Sequence, residues 1–411
     1  MRLAILTQYY PPETGPAQNR LSDLARRFVA LGHQVEVLTT LPSYPGDEVL
    51  PEYVGRKNTV EVMDGVRVAR VGSYVPREKT FTRRMANYLS FAGNAALRGP
   101  WLLRRADVLL MESPPLFLAL AGIPLASLLG ARLWVNVSDL WPRSAVELGI
   151  IKPGPALKAA EVLEAVMVRA AAVITGQTEG IVEDIRARFP RATVALHPNG
   201  VDVAAFRRPL DREGLRREFG WGDDLFVIGY AGLMGYAAAA DQVIAAAEVL
   251  RDMPRLRFAF FGHGPCRREM EEHVARAGLT NVRFYPHQPS ARMPHLQAAF
   301  DAGLATLCEA RLCEGTRPAK MFEIMAAARP LVLTGRGEVQ RIFDATPGGP
   351  PGVIAPPEEP AVLAERIRAL VSDPAAAAAM GRRGRDYVFA DFDREVIARR
   401  TEALVRTTLG L

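Results

Sequence analysis

The segment Glu314-Gly315-Thr316-Arg317-Pro318-Ala319-Lys320-Met321-Phe322-Glu323-Ile324-Met325-Ala326 sets a lysine and a glutamate three residues apart in an otherwise apolar run. That spacing puts Lys320 and Glu323 on one helix face, and Pro318 suits the first turn. A surface helix with one ion pair is the plain alternative. Against it, Met321, Phe322, Ile324 and Met325 make the helix largely apolar and buried, so its two charges need partners. A ribose diol for the carboxylate and a diphosphate for the ammonium would supply them.

A diphosphate also needs backbone N–H donors, and two loops offer them, around Gly15 and around Gly232 and Gly235. Each follows a strand-like run and leads into a helix, where glycine lets N–H groups approach an anion beside a partial positive charge. Neither matches G-x-G-x-x-G or the Walker A pattern, so each alone reads as a tight turn. One in each half of the chain points to a nucleotide diphosphate ligand. His263 and His287 lie in the loops Phe261-Gly262-His263-Gly264 and Tyr285-Pro286-His287-Gln288, where a base would sit. Exposed loop histidines are the alternative.

The elements that must position these residues alternate. Apolar Leu3 to Leu6, a helix marked by Leu21, Leu24, Phe28 and Leu31, and Val35 to Leu38 form a βαβ unit. Strand runs follow at Val66 to Val71, Asp107 to Met111, Leu133 to Val137 and Ala172 to Thr175, the pattern of a doubly wound parallel sheet. The pattern restarts at Leu225 to Tyr230 and continues through Phe258 to Phe261, Val282 to Tyr285, Ala302 to Ala305, Leu331 to Leu333 and Gly352 to Ile354. The expected fold is α/β, with two Rossmann-like domains, 1–200 and 201–390, facing an interdomain cleft. A final helix at about 391–409 is expected to cross back onto the first.

The 411 residues exceed what one core organises, and 49% hydrophobic with 23% charged residues is too apolar for a disordered chain. Cys266, Cys308 and Cys313 are too few and too irregular for a disulfide framework or a zinc site, which points to reduced thiols and no metal centre. The start Met1-Arg2-Leu3-Ala4-Ile5-Leu6-Thr7 reads as a strand rather than a signal peptide, and the expected location is cytoplasmic. Ser113 to Ala131 carries no charge and has the length of a membrane span, but Pro114, Pro115, Gly122 and Pro124 interrupt it. A buried core helix is the better reading.

The net charge of +6 is uneven: 1–200 holds 23 Lys/Arg against 18 Asp/Glu, and 201–411 holds 28 against 27. Most of the excess comes from Arg67, Arg70, Arg77, Lys79, Arg83, Arg84, Arg98, Arg104 and Arg105, which face only Glu78 in sequence. Phe81, Met85, Tyr88, Leu89 and Phe91 interleave with part of this run, as in a helix lying on an anionic surface. Solvated charge is the plain alternative. Nucleic acid is not expected as a partner, because no binding motif accompanies the charge.

Pro318 to Ala326 (Pro-x-Lys-x-Phe-Glu-x-Met-Ala), with Thr7 to Glu13, Ser113-Pro114-Pro115, Asp139-Leu140-Trp141-Pro142, Pro198 to Asp202 and Tyr230-Ala231-Gly232, resembles glycosyltransferase family 4. Within it the chain is most similar to the colanic-acid and O-antigen group that handles N-acetylated sugars. The resemblance runs from residue 1 to about 405 in the right order. It implies the GT-B fold, a nucleotide-sugar donor weighted toward UDP, a retaining reaction, no required metal or other cofactor, and an acceptor on the N-terminal domain. A polyprenyl-linked acceptor at the inner face of the cell membrane, reached through 81–105, would account for the basic and apolar residues there.

Carried over by position, Glu323 matches the glutamate that holds the ribose hydroxyls and Lys320 the basic residue near the diphosphate. Gly232 and Gly235 match the donor loop, and Gly15 the N-domain glycine near the donor phosphate. Glu314 matches the second acid near the donor sugar, at eight residues from Glu323 where seven is common. Ser138 stands where many members carry histidine, which leaves Asp139 as the polar candidate there, with a helix cap as its alternative. Leu233 and Ala237 to Ala240 stand where relatives have polar side chains, which shifts phosphate binding to backbone N–H groups, Lys320 and Arg317. A nucleotide-sugar 2-epimerase and a non-catalytic nucleotide-sugar-binding subunit are the competing functions.

Overall fold

The computed structural model describes residues 1–13, 15–43, 48–76, 80–147 and 151–411. Two units divide the chain: Met1–Pro198 with Ile397–Leu411, and Asn199–Val396.

The first unit is built on an eight-stranded sheet of order β3-β4-β2-β1-β5-β6-β7-β8. Its strands are β1 Arg2–Leu6, β2 Gln34–Thr40, β3 Asn58–Met63, β4 Val66–Val71, β5 Val108–Ser113, β6 Arg132–Val137, β7 Val173–Gly176 and β8 Val194–Leu196. All pairs are parallel except β3 with β4. The central strands read as nearly unbroken apolar runs because helices cover both faces. Gly122 brings the helix Ala119–Leu129 down onto β5, where an added Cβ would stand 2.4 Å from Met111 Sδ. Gly99 does the same between the helix Phe81–Leu102 and Leu125, at 2.7 Å. Ser113 to Ala131 is thus a strand end, a 3-10 turn and a half-buried helix, and no described helix is long and apolar enough to cross a membrane.

A polar seam crosses this sheet. Arg20 donates to Glu112, Asn136 Nδ2 donates to the other Glu112 oxygen at 2.9 Å, and Thr175 Oγ1 donates to Asn136 Oδ1 at 2.8 Å. Trp134 Nε1 closes the chain on Thr175 at 2.8 Å. Each buried polar group is therefore satisfied by another, which removes the cost of burying it. The helix Arg394–Leu409 joins this unit from Ile397 onward, with Ala398, Val405 and Leu409 buried, Glu402 on His33 at 3.2 Å and Thr401 on His197 at 2.7 Å.

The second unit carries six parallel strands in the order β11-β10-β9-β12-β13-β14. They are β9 Phe226–Ala231, β10 Leu256–Phe261, β11 Val282–Tyr285, β12 Ala302–Thr306, β13 Leu331–Thr334 and β14 Gly352–Ala355. Gly303 on β12 lets the helix Ala319–Ala326 seat closely, since a Cβ there would meet Ile324 at 2.4 Å.

Two strands escape the apolar-run pattern. β3 alternates and is half exposed, yet it is paired to β4 through Asp64-Gly65, both at positive φ, the short-range signature of a hairpin. β8 has three residues and only one is buried.

His197 is 4% exposed, and its burial, helped by the nearby Arg20 charge, pushes its pKa down to about 3 from 6.5. A lowered native pKa means that the unfolded chain takes up a proton the native chain refuses, so stability drains away as pH falls from 6.5 toward about 3. Urea unfolding across that range should show a shallower acid loss for His197→Gln than for the native chain. Equal slopes would remove His197 from the acid response.

Candidate functional site

The strongest constellation forms where the strands of the second unit end. Lys320 and Glu323 stand on the helix Ala319–Ala326, whose Met321, Phe322, Ile324 and Met325 are buried as their spacing predicts. Pro318 lies immediately before the first turn rather than in it, with φ −60°. Lys320 Nζ sits 3.5 Å from the ring centroid of Tyr230, a fully buried residue near the end of β9. Phe260 backs that ring at 5.7 Å and Phe284 backs Phe260 at 5.2 Å. A desolvated ammonium on an aromatic face gains up to about 2 kcal/mol.

Among the described residues Lys320 and Glu323 form no ion pair with each other.

 The carboxylate of Glu323 and the ammonium of Lys320 each lack a hydrogen bond or ion pair to any other described side chain, and both are half-buried. Burial pushes the Lys320 pKa down to about 7, with Glu323 pulling the other way. Burial raises that of Glu323, opposed by the charges of Arg394 and Lys320. Two ionisable groups held toward one side with polar capacity to spare can take a ligand bearing both an anion and hydroxyl donors.

Beside them the loops after β9 and β10 interlock. Gly232 has φ 150°, and a Cβ on it would stand 3.1 Å from Lys320 Nζ. Gly262, at φ 135°, passes so close that its Cβ would lie 2.0 Å from the Gly232 carbonyl oxygen. Gly232 N donates to Phe261 O at 2.9 Å and Met234 N to His263 O at 2.8 Å, while Tyr230 Oη donates to Leu233 O at 2.7 Å. Gly235 precedes a single 3-10 turn, Tyr236–Ala238, rather than a long helix. Leu233 and Tyr236 are the exposed large side chains of this loop, at 58% and 78%. On its far side Ala237 O accepts from Cys308 N at 3.1 Å, and Cys308 and Cys313 bring their Sγ atoms to 3.0 Å as free thiols.

The remaining candidates are placed differently. Arg317, expected on phosphate, is buried with its guanidinium 2.6 Å from Glu338, so the charge is spent inside the fold. The pair joins the loop ahead of Lys320 to the helix Glu338–Ala345, and it could not be read from sequence because the partners lie 21 positions apart across unrelated pattern. Glu314 ends the short helix Arg311–Glu314 with its side chain exposed, and its carbonyl lies 2.4 Å from where a Cβ of Gly337 would be. His263 and His287 are exposed and meet edge to face at 5.4 Å, which brings the two loops after β10 and β11 together.

In the first unit Gly15 precedes the helix Pro16–Ala30 in extended conformation, with Gln18 Oε1 2.5 Å from where its Cβ would stand. The buried Glu13, which ends the Thr7 to Glu13 motif without a role assigned to it from sequence, accepts from Tyr10 N at 3.2 Å and Ser43 N at 2.8 Å. Asp139 is half-buried and accepts from Ser144 Oγ at 3.0 Å, and burial raises its pKa. Ser138 Oγ donates to Ser113 O at 3.2 Å.

The basic stretch is less free than its sequence implies. Arg70 is fully buried, on Glu61 at 2.5 Å, and Arg67 and Arg104 share Glu36 at 3.4 and 3.5 Å. Arg84 turns to Tyr88 Oη at 3.4 Å and Phe91 is core. Arg77 and Lys79 lie outside the described residues.

The lowered Lys320 pKa has a measurable consequence. Below about 7 the native chain bears a charged, desolvated ammonium, and that penalty disappears as pH rises toward 10.5, the ordinary lysine value. Lys320→Met should therefore melt above the native chain at pH 7, with the gap closing as pH rises, in ligand-free scanning calorimetry. A gap independent of pH would overturn the burial argument.

Comparison with known proteins matches residues 15–200 to the glycosyl transferase 4-like domain and residues 211–387 to glycosyl transferases group 1. The chain is 26% identical over 379 residues to WcaI of Escherichia coli (strain K12), described as a colanic acid biosynthesis glycosyl transferase, covering 90% of this chain and 91% of that one. It is 28% identical over 387 residues to D-inositol 3-phosphate glycosyltransferase 1 of Catenulispora acidiphila, covering 86% and 81%. Among solved structures, sucrose-phosphate synthase from Thermosynechococcus elongatus superposes with a TM-score of 0.74 at 19% identity, over 100% of this chain and 99% of that one. Anabaena HepE in complex with UDP and glucose gives 0.72 at 17%, over 99% and 100%. With two parallel-sheet α/β domains of GT-B type, each matched along most of its length, the chain belongs to the glycosyltransferases of the family 4 type.

Proposed function

We propose that this glycosyltransferase is a retaining enzyme that moves an N-acetylated sugar from a UDP-linked donor to a hydroxyl or phosphate-bearing acceptor in the biosynthesis of a glycan, glycolipid or glycosylated metabolite. The observation that carries the reading is the half-buried Lys320 and Glu323, each without a hydrogen-bond or ion-pair partner among the described side chains, beside the Gly232 loop. A diphosphate leaving group develops negative charge as the sugar–oxygen bond breaks, and a preorganised ammonium with backbone N–H groups stabilises that charge more than it stabilises the ground state. Lys320 and the N–H groups of Leu233 and Gly235 fill this role, since those of Gly232 and Met234 already donate to Phe261 O and His263 O, and Glu323 accepts from the ribose hydroxyls. In this reading they provide the counter-charge in place of a metal ion.

Glu314 serves the donor sugar, Gly15 the donor phosphate, Asp139 the transferred sugar, and His263 and His287 the base. The acceptor hydroxyl attacks from the face the diphosphate quits, and a diphosphate oxygen takes its proton. UDP finds support in HepE, which holds UDP and glucose on a similar fold. The acceptor in this reading is polyprenyl-linked and is met at the cytoplasmic face of the membrane through the region 81–105.

Titration calorimetry with UDP, GDP, dTDP and ADP should rank UDP first. Affinity should fall as pH rises through about 7, where Lys320 loses its proton in the free protein. Lys320→Ala should lower kcat by about 10²- to 10³-fold with folding intact, and Glu323→Gln should weaken nucleotide binding. EDTA should leave turnover unchanged. Near-normal activity of Lys320→Ala would sink the assignment, and sugar isomerisation without any acceptor would replace it with an epimerase.

A further inference from the structure

Three helices of the first unit expose apolar side chains where surface helices ordinarily carry charge. The helix Phe81–Leu102 shows Leu89 at 45%, Leu97 at 68% and Trp101 at 82%, spaced by multiples of four residues and therefore in one row. Against it packs the helix Ala119–Leu129, which has no charged residue and leaves Leu120 and Leu128 exposed at 50% and 66%, with Pro124 between them. The helix Pro155–Ala170, packed on that one in turn, adds Val162 at 64% and Val166 at 43%. Single exposed leucines need no explanation, but neighbouring rows of them mark a contact surface.

The charges around these rows have one sign. The first two helices contain no Asp or Glu, and on the third the exposed acid is Glu161, since Glu164 is buried and tied to Arg188 at 2.7 Å. Arg98, Arg105, Lys158 and Arg169 are exposed. Just past Trp101 the chain enters a hollow lined by Arg2, Arg67, Arg104 and Arg105, with Glu36 as its acid. Two copies of this chain meeting here would press like charges together, whereas a sheet of lipid phosphates would complement them. An aromatic side chain at the border of the apolar rows and the cations also suits the headgroup boundary.

We propose that the outer face of the helices Phe81–Leu102, Ala119–Leu129 and Pro155–Ala170 docks on an anionic phospholipid bilayer, with Leu97, Trp101 and Leu128 entering the headgroup region and Arg98, Arg105 and Lys158 meeting lipid phosphates. This deepens the membrane-borne acceptor reading above and rests on it for its purpose. It also relocates the contact. The face lies on the C-terminal half of the first helix and on two helices outside 81–105, because Phe91 is core and Arg70 is buried on Glu61.

The test is co-sedimentation of the full chain with vesicles of phosphatidylcholine containing about 30% phosphatidylglycerol, with pure phosphatidylcholine vesicles as the comparison. The chain should bind the anionic vesicles, release with salt, and show a blue shift of fluorescence that Trp101→Phe removes. The double variant Leu97→Glu, Leu128→Glu should lose about tenfold or more of the binding while its melting temperature and UDP affinity stay unchanged. Undiminished binding by that variant, absence of binding at low salt, or concentration-dependent dimerisation abolished by the same two substitutions would each overturn the proposal. UDP affinity, measured without vesicles, separates the two readings. Loss of the nucleotide reading leaves vesicle binding standing, and the reverse holds too.

Discussion

An ammonium pressed onto a buried aromatic ring is the constraint around which the second unit is arranged. Lys320 has given up much of its hydration for the face of Tyr230, 3.5 Å away, and a charge so placed persists only where its surroundings leave it no cheaper position. Those surroundings are specific. Tyr230 is fixed at its hydroxyl by Leu233 O and on its far face by Phe260. The helix that carries Lys320 is held down by Met321, Phe322, Ile324 and Met325, and by Gly303 beneath Ile324. The same packing that makes the ammonium costly keeps it from folding away, which is what preorganisation requires of a group meant to meet a developing negative charge.

Loop geometry follows from the same demand. Gly232 is required by its φ of 150°, and a side chain there would also crowd Lys320 Nζ, 3.1 Å from the Cβ position. Gly262 must be glycine because the Gly232 carbonyl fills its Cβ position. The two strand-end loops therefore fix one another, and neither position is explained by its own strand. Arg317 and Glu338 lock the approach to Lys320 from the other side.

What the sequence made legible tracks the range of the interaction. Strands buried on both faces announced themselves as apolar runs, and the pair Lys320 and Glu323 stood out because a helix relates residues three apart. β3 was not found by that signal, since it is an edge strand with alternating burial and its cue was the Asp64-Gly65 turn. Pairs made across the fold left no local trace. Arg317 looked like a phosphate ligand because Glu338 lies 21 residues away, and Arg70 looked like surface charge because Glu61 reaches it only across the β3 and β4 hairpin. Glu112 was passed over for the same reason.

Those hidden pairs change what the net charge means. A basic run in sequence is a sum over side chains, some of which are spent on internal acids, so the excess that faces solvent must be counted after folding. In the first unit the counting removes Arg70 to Glu61, and leaves one charge of the two on Arg67 and Arg104, which share Glu36. It leaves exposed cations along helices that carry no acid or a single exposed one, beside apolar rows. Charge and apolarity that were interleaved along the chain are thereby sorted onto one surface. A folded chain gains no stability from leaving leucine and tryptophan in water, and neighbouring rows of them mark a contact surface.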